Sequence, residues 1–190
     1  VFNTGSPAID GLKKVKADQD APELIVMQHP VGASPSDEYA WMQATLEATA
    51  KHTRLILEPN HDPGRNAIMR AIVDAKLTAT QHLPRETFLA RLAGAKAIVG
   101  NSSAGLIEAA AMKIPAVNLG SRQSGREKPS NVIDAKHNKT AIANAIKKAL
   151  DMQTSKLRHP YGNGKAGQTI ADLLASIDLN TIPLHKHNAY

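Results

Sequence analysis

Between the apolar run Ala97-Ile98-Val99 and an alanine-rich stretch, the chain places Asn101, Ser102, Ser103 and Gly105, and then a lone Glu108. Serine hydroxyls beside uncrowded backbone N–H groups at a helix start suit a phosphate or pyrophosphate. Glu108, about one turn further on, can accept hydrogen bonds from ribose hydroxyls, as acidic residues do in dinucleotide folds. The same letters also fit a plainer structure in which Ser102 caps a helix and Glu108 faces solvent. A second candidate is Gly120 to Arg126 (GSRQSGR), whose Arg122 and Arg126 carry guanidinium groups suited to bidentate phosphate contacts. A surface loop would read the same way. His29, held by Pro30 after the apolar run ELIVMQ, can donate to a phosphate or exchange a proton, and it can equally be a structural histidine. Phe88 can stack on a base or pack inside its helix.

These residues need elements to position them. Strands are predicted for Glu23 to Gln28, Thr53 to Glu58, Thr78 to Leu83, Lys96 to Gly100, Pro115 to Leu119 and Asn131 to Asp134. Helices are predicted from Pro7 to Val15, Asp37 to Lys51, Gly64 to Ala75, Arg85 to Ala93, Ser103 to Met112, Lys139 to Asp151 and Lys165 to Ile177. Ser6-Pro7 and Ser36-Asp37 supply capping chemistry at two of the starts. The alternation implies right-handed βαβ crossovers and an α/β fold: a Rossmann-like, doubly wound parallel sheet. In such sheets ligands bind beyond the carboxyl ends of the strands. The segments there are His29 to Gly32, Pro59 to Gly64, Pro84-Arg85, Asn101 to Gly105 and Gly120 to Arg126, all polar or rich in Gly and Pro.

Composition narrows the classes of function. A chain of 190 residues can bury a full core, and no apolar run approaches the roughly 20 residues that span a bilayer. With no cysteine, disulfides, zinc–thiolate sites and thiol catalysis are excluded, and a cytoplasmic setting fits. The net charge of +6 admits an anionic partner, but aromatics make up only 3%, too few for the stacking platforms of single-strand binders. Neither nucleic acid nor a membrane is expected as a partner. No metal-ligand cluster stands out, and His185-Lys186-His187 lie in a tail, residues 179–190, read as a loose extension. Gly162-Asn163-Gly164-Lys165-Ala166-Gly167 matches the dinucleotide fingerprint by letter but lacks the preceding strand.

Taken together, the motifs resemble one family. Gly100-Asn101-Ser102-Ser103-Ala104-Gly105 with Glu108, followed by Gly120-Ser121-Arg122-Gln123-Ser124-Gly125-Arg126, is similar to the GNSSxGxxEA and G-(T/D)-RQxGR patterns of the hydrolysing UDP-N-acetylglucosamine 2-epimerases. Phe2 to Pro7, His29-Pro30-Val31, Pro59 to Gly64 and Tyr161 to Ala166 agree with it, so the resemblance runs over residues 1–178. Asn163 stands where the family has Asp, and Ser121 where it has Thr or Asp.

The resemblance implies the C-terminal, nucleotide-binding half of a glycosyltransferase-B-like architecture of two Rossmann-like domains. It implies that Ser102 and Ser103 hold a diphosphate, that Glu108 binds the ribose, that Phe88 lies against uracil and that backbone near Leu83 reads its edge. His29 and Arg122 would face the phosphates, and Asn60 would line the cleft. The family uses no cofactor, and its acidic catalytic residues lie in the N-terminal domain, leaving His29 as the one catalytic candidate here. The expected partners are therefore a UDP-sugar and the missing N-terminal domain, with a homo-oligomer left open; the isolated half is expected to be inactive. The nucleotide-binding half of a glycosyltransferase and a stand-alone nucleotide-sugar binding module remain as alternatives.

Overall fold

The computed structural model describes residues 1–178, and the predicted tail 179–190 with its two histidines lies outside them. Five short strands, β1 (Leu24–Met27), β2 (Arg54–Ile56), β3 (Ala97–Gly100), β4 (Ala116–Leu119) and β5 (Val132–Ala135), form one parallel sheet in the order β2-β1-β3-β4-β5. Alternate strand residues face opposite layers, as a pleated strand requires. Leu24 and Val26 join helices α1 (Pro35–Ala48), α2 (Arg65–Asp74) and α5 (Lys139–Leu150) on one face. Ile25, Ile98 and Ala116 meet Leu92 of α3 (Arg85–Gly94) and Ala109 of α4 (Glu108–Ala111) on the other. Helix α6 (Ala166–Ser176) follows. Burial on both faces explains why β1 and β3 read as unbroken apolar runs and why β4 departs from one only at Asn118.

Four local expectations are corrected. Thr78 to Leu83 is no strand: only Thr80 pairs, with Leu57, through Glu58 N–H to Thr80 O (2.9 Å) and Thr80 N–H to Ile56 O (2.8 Å). At this edge Thr78 and Thr80 are exposed and Pro84 ends the segment, so little apolar surface rewards a longer ladder. Pro7 to Val15 forms two 3-10 turns, Pro7–Ile9 and Leu12–Lys14, because Gly11 sits in the left-handed region at φ 77° between them. Ser6 does cap the first turn, accepting from Ala8 N–H at 3.3 Å. α1 is capped by Ser34 with Pro35 at its first position, two residues before the predicted start, and Ser34 Oγ accepts from Asp37 N–H at 3.1 Å.

The fourth correction touches the site. Ser103 to Met112 is a 3-10 turn, Ser103–Gly105, and then the single α-turn α4. Gly105 lies so near the sheet that an added Cβ would stand 3.3 Å from Ala116 Cβ, and Gly105 and Ile107 are poor helix formers. No long helix dipole is therefore available to an anion here.

Candidate functional site

Chain order reverses between β1 and β3: the chain builds outward through β2 on one side, then crosses back to β3, β4 and β5 on the other. Ligand crevices form where two crossovers diverge in this way, and His29 and Asn101 lie just past the two strand ends that flank this point. The Asn101 side chain, 1% exposed, joins them: Oδ1 accepts from His29 N–H and Nδ2 donates to His29 O, both at 2.7 Å. Asn101 N–H donates to Met27 O at 3.2 Å. The pair thus extends the β1–β3 ladder with a side-chain amide where strand geometry has ended.

Further residues converge on this clamp. Asn101 O accepts from Gln123 Nε2 at 2.8 Å and from Arg122 Nη1 at 3.2 Å, tying the GSRQSGR loop to the end of β3. Gln123 is 2% exposed, whereas Arg122 is exposed and presents the rest of its guanidinium to solvent. Asn60 N–H donates to His29 Nδ1 at 3.1 Å, and Asn60 Nδ2 donates to Asp62 at 2.5 Å. An accepting Nδ1 leaves the imidazole proton on Nε2.

Burial, reinforced by the Arg122 charge and opposed by Asp62, lowers the His29 pKa from 6.5 to about 4. His29 is therefore a neutral donor near pH 7, and not the phosphate-pairing cation that a free histidine becomes in mild acid. A pH dependence follows. The unfolded chain protonates His29 below about 6.5, while the folded chain keeps it neutral down to about 4. Stability is then complete above pH 6.5 and falls as pH drops toward 4, by at most about 3 kcal/mol from this group. Burial lowers the His137 pKa as well, so the His29 share is isolated with His29→Asn, which keeps an acceptor for Asn60 N–H. Urea unfolding at pH 7.5 and 4.5 is expected to show a smaller acid loss in the variant; equal losses would remove the neutral-histidine assignment.

Ser102 Oγ accepts from Ala104 N–H at 3.3 Å, so it does cap the 3-10 turn. Among the described residues the backbone N–H groups of Ser102 and Ser103 have no protein partner. Four donors thus stand together at this turn: these two N–H groups and the two hydroxyl hydrogens. Glu108 is not the stray solvent charge of the plainer reading: its side chain is 13% exposed and pairs with Arg85 Nη1 at 3.4 Å. Leu83 and Phe88 are half-buried in the same cluster as Ala104 and Ala109, next to Ser103 and Glu108. Phe88 also packs against the 3-10 turns around Ile9 and Leu12, so much of its ring is structural.

The structure thus links His29, Asn60 and Arg122 through hydrogen bonds, with Ser102 and Ser103 next in the chain. Leu83, Phe88 and Glu108 form a second group on the α3–α4 side. Sequence reasoning missed Asn101, Gln123 and Arg85 as organisers, although all three lay within the strand-end segments it had marked. The look-alike fingerprint at Gly162 opens α6 with no strand before it. Asp10 occupies its N-terminus, accepting from Ala166 N–H at 2.9 Å and Gly167 N–H at 2.7 Å, where a pyrophosphate would need those donors. A concavity of about 820 Å³ between the Ile9–Ala17 segment and Gly162–Lys165 lies away from the strand ends. Among the described residues no group of three or more His, Asp or Glu side chains could hold a metal, and no helix is long and apolar enough to cross a membrane.

Known proteins share this fold. Crystal structures of UDP-GlcNAc 2-epimerases superpose on 92% of the chain: that from Neisseria meningitidis bound to UDP-GlcNAc (TM-score 0.69, 15% identity, 55% of its length). The enzyme from Methanocaldococcus jannaschii, in complex with UDP-GlcNAc and UDP, gives 0.68, 16% and 54%. These likenesses establish the fold. In sequence, the whole chain is 33% identical to the UDP-N,N'-diacetylbacillosamine 2-epimerase (hydrolyzing) of Legionella pneumophila, over 55% of that protein. It is 31% identical to the UDP-N-acetylglucosamine 2-epimerase of Neisseria meningitidis, over 67% of this chain and 35% of that one. The chain therefore spans about half the length of the Legionella relative. Residues 1–175 match the family described as UDP-N-acetylglucosamine 2-epimerase, and the chain belongs to that family.

Proposed function

We propose that residues 1–178 are the UDP-binding C-terminal domain of a hydrolysing 2-epimerase, one of two Rossmann-like halves of a glycosyltransferase-B-like enzyme. The whole enzyme would invert C2 of a UDP-N-acetylhexosamine with loss of UDP, giving N-acetylmannosamine when the sugar is N-acetylglucosamine. The fragment alone would bind nucleotide without turning it over. The reaction needs no cofactor in this reading, and its setting is cytoplasmic. The observation that carries the proposal is the convergence of His29, Asn101 and Arg122 at the switch point beside Ser102 and Ser103. The name of the Legionella relative supports the hydrolysing type.

In this reading each residue has a physical task. Ser102 and Ser103 offer hydroxyl and N–H donors to the diphosphate, and Arg122 adds a charged, planar donor. His29 gives a neutral Nε2–H, which can hydrogen-bond a phosphate oxygen, including the one on which charge builds as UDP departs. Glu108 accepts from the ribose hydroxyls, Phe88 lies against uracil, the backbone near Leu83 reads its edge and Asn60 lines the cleft. Calorimetric titration with UDP tests these roles. Ser103→Ala is expected to weaken binding about fivefold, as one hydrogen bond of roughly 1 kcal/mol requires. Glu108→Ala removes a charged acceptor and is expected to cost about tenfold or more. Unchanged affinity in both variants would sink the assignment.

A further inference from the structure

Arg85 is joined to two places far apart in the chain. Nη1 lies 3.4 Å from Glu108 Oε1, and Nη2 donates to Ala8 O at 2.5 Å. Ala8 belongs to the Ser6-capped turn Pro7–Ile9. That turn is itself fixed: Ser6 N–H donates to Tyr161 O at 2.9 Å, and Asp10, next after the turn, caps α6. The guanidinium is thus placed by a main-chain carbonyl that does not depend on Glu108. Glu108 Oε2 has no protein partner among the described residues.

Resting on the reading of Glu108 as the ribose ligand, we infer that Arg85 is a positioning residue that sets nucleoside recognition: it holds Oε1 of Glu108 so that Oε2 is aimed at the ribose diol before the nucleotide arrives. A charged acceptor binds hydroxyls about twice as strongly as a neutral one, but only if its orientation is not lost to rotamer freedom. A planar guanidinium holds two acceptors at fixed angles in a rigid fork, whereas an ammonium is a point charge on a flexible stem and fixes the orientation of neither. Arg85 is 53% exposed, so its replacement removes the tether without opening the core.

The experiment compares UDP with 2′,3′-dideoxy-UDP as ligands of the chain, by calorimetry, in wild type, Arg85→Gln and Arg85→Lys, with thermal melting as the check on folding. Wild type is expected to prefer UDP by about tenfold or more, the ratio that hydrogen bonds to a carboxylate supply. Arg85→Gln is expected to cut that preference to about threefold or less while its affinity for the dideoxy ligand stays at the wild-type value and melting stays cooperative, the midpoint falling by no more than the few degrees that two exposed contacts supply; Arg85→Lys recovers part of the preference. A wild-type preference retained in Arg85→Gln overturns the inference, and so does an equal weakening toward both ligands, which marks a merely structural role. If wild type binds the two ligands equally, the ribose role of Glu108 fails and takes the inference with it.

Discussion

Replacing Gly100 by alanine is expected to be the most damaging single-methyl change in the sheet. Gly100 ends β3 at φ 148°, directly opposite Met27 in the parallel ladder. A Cβ there would stand 2.0 Å from Met27 O and 2.5 Å from Met27 C, atoms of the neighbouring strand that cannot swing aside as a side-chain tip does. Two costs add: a backbone conformation that L-residues avoid, about 1–3 kcal/mol, and overpacking against main chain, about 1–3 kcal/mol or more. A loss of about 3–5 kcal/mol is a large part of the 5–15 kcal/mol that holds a typical domain. The displaced Met27 carbonyl is also the acceptor for Asn101 N–H, so the clamp at the switch point moves with it. Gly125→Ala is the control: φ is 80° there, but no atom lies within 4 Å of the added carbon, so only about 1–2 kcal/mol of backbone strain is expected. Urea denaturation of both variants measures the contrast, and a Gly100→Ala loss no larger than that of Gly125→Ala would contradict it.

How far these features can be read from the chain depends on the range of the forces behind them. The runs ELIVMQ, KAIVG and PAVNL announce buried strands because both faces of a parallel sheet select apolar residues, whatever the partners. Thr78 to Leu83 carries β-favouring threonines but lies at an edge, where propensity without burial yields one bridge at Thr80. Ser103 to Met112 has the spacing of a helix, yet close approach of Gly105 to Ala116 breaks it, a contact set by tertiary packing. The strand-end rule marked the candidate site because it concerns topology alone. Roles within the site were harder to read. Asn101 finds His29 across 72 positions, and Arg85 reaches Ala8 across 77, so nothing near either residue announces its task. A short polar residue after a strand reads as a ligand or a cap; only the folded chain shows that Asn101 is spent on the scaffold while Ser102 and Ser103 keep free donors.

That division of labour gives the second large prediction. Asn101→Asp is isosteric and keeps the acceptor for His29 N–H, but it turns the Nδ2 donor facing His29 O into a carboxylate oxygen facing a carbonyl oxygen. At 1% exposure the new charge has little water, and Arg122, whose Nη1 contacts Asn101 O, is the cation nearest to hand in the clamp. A buried, imperfectly paired charge costs more than a missing hydrogen bond: about 3–5 kcal/mol against 1–3. At pH 8 Asn101→Asp is therefore expected to be less stable than Asn101→Ala, which leaves His29 N–H and O unpaired but introduces no charge. Both are expected to lose UDP affinity, by about a hundredfold in the aspartate variant, since the clamp carries His29 and the Arg122 loop together. Burial raises a carboxyl pKa, and a protonated carboxylic acid can again donate to His29 O. Acidification from pH 8 to 5 should then favour Asn101→Asp over Asn101→Ala in both stability and UDP binding, so that their order reverses. The acid loss that comes from His29, neutral in the folded chain down to about pH 4 and protonated in the unfolded chain below about 6.5, is common to both variants and leaves their order to the residue at 101. Urea midpoints and UDP titrations at pH 8, 6.5 and 5 decide the matter: parallel curves for the two variants would mean that Nδ2 donation to His29 does not organise the switch point.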